Sequence, residues 1–140
     1  MPNGSKRQIL VVDDEPRVRE SLGMLLLAAG YDVAEADNGV SALSQLNRMV
    51  PDLIVTDVNM PEMSGLELIS HVRNRYPLIS IVAMSGDYQG DAVPAGTMAD
   101  SFYPKGQGPH KFLKVIASLI TANSARGSTY ESRPRSAPGS

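Results

Sequence analysis

Short apolar runs alternate with helical spacings along this chain. Ile9-Leu10-Val11-Val12 is a compact, β-branched run suited to a strand covered on both faces. From Pro16, a good first helical residue, Val18, Leu22, Leu25, Leu26 and Ala29 recur at helical spacing until Gly30 supplies a stop. Residues 31–36 alternate like a strand near an edge, and Asn38-Gly39 turns the chain into a helix through Ala42, Leu43 and Leu46. Leu53 to Thr56 predicts a third strand. Leu66, Ile69, Val72 and Tyr76 mark a third helix that must end before Pro77. Ile79 to Met84 predicts strand four and Ser101 to Tyr103 a short strand five, with a last helix carried by Phe112, Val115, Ile116 and Leu119. Between strands four and five, Gly90, Pro94 and Gly96 leave the expected fourth helix weak or shortened. This β-α alternation predicts an α/β fold, a doubly wound five-stranded parallel sheet with right-handed crossovers and helices on both faces.

Composition narrows the chemistry. At 140 residues, 42% of them hydrophobic, the chain suits one domain with a real core. Cysteine is absent, which removes disulfides, thiol catalysis and cysteine-ligated zinc, and suits a reducing cytoplasm. No stretch approaches the roughly 18 apolar residues of a membrane span, and the amino terminus lacks the apolar core of a signal peptide. Net charge is −2, against a dominant nucleic-acid footprint, so neither direct DNA binding nor membrane insertion is expected. Through Ile120 the chain has 10 Lys and Arg against 14 Asp and Glu, whereas the remainder carries three Arg and one Glu. Residues 123–140, rich in Ser, Arg, Gly and Pro, are expected to be a disordered tail following a domain at 7–122.

Carboxylates stand at two strand ends. Strand one runs into Asp13-Asp14-Glu15, and strand three into Asp57-Val58-Asn59-Met60-Pro61 with Gly65 behind it. Neighbouring parallel strands would bring these acids to one rim, where their repulsion calls for a cation. Ser85 follows strand four and Lys105 strand five. Singly, each is ordinary: an Asp pair caps helices, Ser85-Gly86 is a turn, and one lysine is a surface charge. Glu15 reads as a helix-start charge, and His71 and His110 have no partner at metal-ligand spacing.

Together, in this order, the residues closely resemble the receiver domain of two-component response regulators, the CheY-like, flavodoxin-like fold, over residues 7–122. The resemblance implies a bacterial, stand-alone phosphorylation switch or shuttle. Asp57 would be the phosphoacceptor, charged by a sensor histidine kinase or a phosphotransfer protein, with self-phosphorylation and autodephosphorylation as its only chemistry. Mg²⁺ would sit on Asp13, Asp14, Asp57 and the backbone carbonyl of Asn59. Lys105 and Ser85 would contact the phosphoryl oxygens, and Ser85 with Phe102, three positions before the lysine, would form the switch. No effector domain is expected after the receiver, so output would pass through contact with a downstream protein.

The sequence departs from the family on one side. The family's lysine is usually followed by proline, often with a cis peptide; here Gly106 follows, and a trans junction is expected. The interval from Ser85 to Lys105 is about two residues shorter than usual. Tyr103 is an additional aromatic without a family role. Two alternatives therefore stand beside the switch. One is a receiver-like interaction module insensitive to phosphorylation. The other is a Mg²⁺-dependent phosphohydrolase acting through an aspartyl phosphate, opposed by Asn59 where such enzymes carry a second aspartate.

Overall fold

The computed structural model describes residues 6–86 and 98–131, the last nine of these as backbone only. In chain order the elements are β1 (Gln8–Val12), α1 (Pro16–Ala28), β2 (Asp32–Ala36), α2 (Gly39–Leu46), β3 (Leu53–Asp57), α3 (Gly65–Arg75), β4 (Ser80–Ser85), β5 (Ser101–Pro104) and α4 (Pro109–Glu131). The five strands form one parallel sheet in the order β2-β1-β3-β4-β5. This is the doubly wound, CheY-like arrangement expected from the alternation. The segment expected to hold a weak fourth helix lies, over 87–97, outside the described residues, so α4 is the helix begun by Phe112.

Burial follows strand position. The central β3 is buried at every residue, and β4 likewise, whereas the edge strand β2 is only half-buried. That explains the continuous apolar runs of the first two and the alternation of the third. Alternate side chains feed two cores. Leu10, Val12, Ile54, Ile81, Ala83 and Phe102 pack with α2 and α3 on one face. Ile9, Val11, Val55, Val82, Met84 and Tyr103 pack with α1 and α4 on the other.

Helix starts are set locally. Asn38 caps α2 through Oδ1, which accepts from the Ser41 N–H at 2.7 Å. Ser64 and Glu67 form a reciprocal capping box on α3, fixing where the helix leaves the β3 loop. Gly65 opens that helix against the strand end, and a Cβ there would lie 2.0 Å from the Asp57 carbonyl oxygen.

One boundary moves. Where the sequence reading began a disordered tail at 123, α4 continues to Glu131. Ala122, Ala125 and Arg126 are good helix formers, and no proline occurs between Pro109 and Pro134, so the low apolar content used to place the boundary did not itself break the helix. Residues 132–140 lie outside the described part.

Candidate functional site

β1, β3, β4 and β5 all point their carboxyl ends at one rim, which is where the polar candidates collect. Asp13 follows the last residue of β1, and its backbone N–H donates to the Ala36 carbonyl oxygen at 3.2 Å. Its own carbonyl accepts from Arg19 Nη1 at 2.8 Å, and its Oδ1 from the Glu15 N–H at 2.9 Å. These bonds hold the β1–α1 turn so that the Asp13 carboxylate is fully buried while Asp14 stays exposed. Asp57 ends β3 and is 4% exposed; its Oδ1 accepts from the Asn59 N–H at 3.2 Å. Oxygen atoms of Asp13, Asp14 and Asp57 lie within 4.8 Å of one another.

Lys105 reaches into this group from the end of β5. Its Nζ lies 3.0 Å from Asp13 Oδ2 and donates to Asp57 Oδ2 at 3.1 Å. Its backbone N–H donates to the Ser85 carbonyl oxygen at 3.0 Å, which carries the β4–β5 pairing one step past the strands. Ser85 is buried at the end of β4, and its Oγ accepts from Asn59 Nδ2 at 3.2 Å. The fold thus brings Asp13, Asp14, Asp57, Asn59, Ser85 and Lys105 to one place. Phe102 does not join them: it is buried in the core shared with α2 and α3.

Electrostatics at the rim set a mostly buried acid cluster against one lysine. Burial pushes the Asp57 carboxyl above its ordinary value; the Asn59 N–H and Lys105 pull it down without cancelling the shift. Burial of the Lys105 ammonium works the other way, yet Asp13 and Asp57 together outweigh it and hold the lysine charged. Asp13 Oδ2 is buried and accepts no hydrogen bond among the described residues, so its contact with Lys105 is an ion pair without hydrogen-bond geometry. An ordered oxygen of this kind fits a metal ion. A Mg²⁺ bound at about 2.0–2.1 Å has ligand oxygens about 3–4 Å apart, close to the spacing present.

Comparison with known proteins agrees with this geometry. The chain matches the response regulator receiver domain over residues 9–116. It belongs to that family. The receiver is 38% identical over 119 residues to a protein-glutamate methylesterase/protein-glutamine glutaminase of Hahella chejuensis, covering 80% of this chain and 34% of that protein. It is 49% identical over 123 residues to an uncharacterized 14.6 kDa protein of Leptolyngbya boryana, covering 84% of this chain and 93% of that one. The receiver spans about a third to a half of the first curated relatives it matches. Among solved structures, the Thermotoga maritima response regulator TrrA in complex with Mg²⁺-BeF has a TM-score of 0.74 at 30% identity, covering 81% of this receiver and 98% of that chain. Vibrio cholerae CheY4 gives 0.74 at 28% identity, covering 82% and 99%. Family membership settles the domain as a signalling receiver, and no helix among the described residues is long and apolar enough to cross a membrane.

Two features, one at the rim and one at the opposite edge of the sheet, were not legible as motifs. Asn59 uses its side chain as well as its backbone, bonding Ser85 across the site. Arg73 on α3 donates to the carbonyls of Met98, Pro77 and Ile79 and to Asp100 Oδ2, clamping the entry to β5. An arginine on a polar helix face gives no sign of such partners until the chain is folded.

Proposed function

We propose that Asp57 accepts a phosphoryl group from the phosphohistidine of a sensor kinase or phosphotransfer protein and so switches or relays a signal. The observation that carries this is the buried Asp57 carboxylate, raised in pKa by burial and set between an acid pair and a lysine. An Asp57 oxygen attacks phosphorus, the donor's P–N bond breaks, and an acyl phosphate forms. Approach of that dianion to three carboxylates needs positive charge. Mg²⁺ held by Asp13, Asp14, Asp57 and the Asn59 carbonyl would supply it when bound. Lys105 is already within 3.1 Å of Asp57 and meets a phosphoryl oxygen after a small rotation. Ser85 donates its hydroxyl proton to a phosphoryl oxygen, which its accepted bond from Asn59 leaves possible, and Phe102 responds from the adjoining core. The TrrA complex with Mg²⁺-BeF supports the same ligand chemistry here.

Output then passes through contact with a downstream protein. In this state Phe102 and Tyr103 are both buried, so neither ring is offered to a partner. Asp57→Asn should abolish label incorporation from a radiolabelled small phosphodonor, and Asp14→Ala should remove most of the Mg²⁺-dependent rise in melting temperature. At a hundredfold excess over the dissociation constant that rise corresponds to about 2.7 kcal/mol. Stable labelling of the Asn variant would assign the phosphoacceptor elsewhere.

A further inference from the structure

The tyrosine beside Phe102 and the glycine pair after Lys105 take no part in the scheme above, yet in the fold they meet. Lys105 leaves β5 into a turn with Gly106 at φ 90° and Gly108 at φ 94°, and α4 begins at Pro109. Positive φ at both positions favours glycine, and glycine leaves a loop with the greatest backbone freedom. The proline that follows the lysine in most of the family is absent, so the backbone itself does little to fix this turn.

A side chain does so instead. Tyr103 is buried, its hydroxyl donates to the Gly108 carbonyl oxygen at 2.8 Å, and its ring stacks edge-on to Phe112 at 5.3 Å and 61°. The same carbonyl accepts from the Phe112 N–H, so the tyrosine is bonded to the first turn of α4. Before the lysine, Pro104 fixes one φ on an edge strand, where its missing N–H is harmless and where it keeps Tyr103 extended. Lys105 therefore sits on a short loop stiffened ahead by proline and closed behind by a phenol. Burial raises the Tyr103 pKa, which keeps the donor protonated through neutral and mildly alkaline pH.

We infer that Tyr103 is a positioning residue for Lys105: its hydrogen bond to Gly108 closes the 104–107 loop and fixes the point from which the lysine addresses an anion on Asp57. In the resting state Nζ is held by its hydrogen bond to Asp57 and its ion pair with Asp13. When a phosphoryl group arrives the ammonium must re-aim, and a closed loop confines that search. The phosphoryl half of this inference rests on the function proposed above, whereas the loop closure itself does not.

Tyr103→Phe in the full chain keeps the ring and removes only the donor. Amide exchange over 104–110 without ligand should rise about tenfold, as expected for loss of one ordering hydrogen bond. In saturating Mg²⁺, affinity for beryllofluoride should fall about fivefold, while affinity for Mg²⁺ alone stays at the wild-type value because the acids are untouched. Gly108→Ala, which strains the turn from its other end, should produce the same split. Unchanged exchange in Tyr103→Phe overturns the inference. So does a parallel loss of Mg²⁺ and beryllofluoride affinity, which would mean that the whole rim had loosened. If the wild type takes up no beryllofluoride, the phosphoacceptor reading fails, and the exchange measurement still decides whether the tether exists.

Discussion

On one side of the rim Asp13, Asp14 and Asp57 stand at the ends of two central, fully paired strands, and turns and backbone N–H groups hold the acids in place. On the other side Lys105 hangs from a four-residue edge strand and depends on long side chains, Arg73 before it and Tyr103 after it. The acid side is the more tightly held, because moving Asp57 means unpairing β3 and moving Asp13 means breaking its bonds to Ala36, Glu15 and Arg19. The lysine side can be loosened by deleting a single donor. The lysine's support is side chains and a short edge strand; the support of the acids is the sheet and its backbone N–H groups.

That contrast can be broken most severely at Gly65. A Cβ there would meet the Asp57 carbonyl oxygen at 2.0 Å and the Val58 Cα at 2.6 Å, so Gly65→Ala must displace α3 or the strand end. Urea denaturation should show a loss of about 3 kcal/mol, since backbone atoms cannot yield as a side-chain tip would. A nearly neutral Gly65→Ala would mean that the acid side is softer than described.

A smaller effect tests the lysine side. Arg73→Met keeps the aliphatic stem but strips the donors from the Met98, Pro77 and Ile79 carbonyls and from Asp100. A loss of about 2 kcal/mol is expected, with Mg²⁺ affinity unchanged because no contact of Arg73 reaches the acids. A shift in Mg²⁺ affinity would show the two sides to be coupled.

The smallest effect sharpens the electrostatic difference. Burial raises the Asp57 pKa above its ordinary 3.8, so the folded state binds that proton more tightly than the unfolded chain does. The ionised group therefore disfavours folding once pH has risen through the carboxylate range. Without Mg²⁺ at pH 7, Asp57→Asn should melt a few degrees above the wild type. The gap should close on acidification toward that range and reverse in saturating Mg²⁺, where the wild type gains a ligand that the variant lacks. Equal melting temperatures at all pH values would show that Lys105 fully compensates the burial.

Legibility in the sequence divides along the same line. β1, β3 and β4 announced themselves as apolar runs, and the acids at their ends were readable because backbone periodicity dictates where a strand-end residue points. Ser85 and Lys105 were found by order along the chain. Arg73, Tyr103 and the Asn59 side chain were not, since their partners lie on other elements and are mostly backbone carbonyls, which leave no trace in a residue pattern. Tyr103 was conspicuous only as an aromatic without a role. The extent of α4 to Glu131 was not legible either, because apolar content reports packing and says little about where a backbone helix stops.

The anchoring of β5 also bears on where this chain can change length. Asp100 is joined to Ile81 twice, N–H to carbonyl at 2.8 Å and carboxylate to N–H at 2.7 Å, and Phe102 and Tyr103 then enter opposite cores. Removing Ser101 would draw the lysine back by about 3.3 Å and exchange the two rings between faces. Among the described residues, this register is fixed by the β4 pairing and by the bonds of Asp100 to Ile81 and Arg73. A single codon lost at Ser101 would therefore withdraw Lys105 from the two carboxylates it now meets.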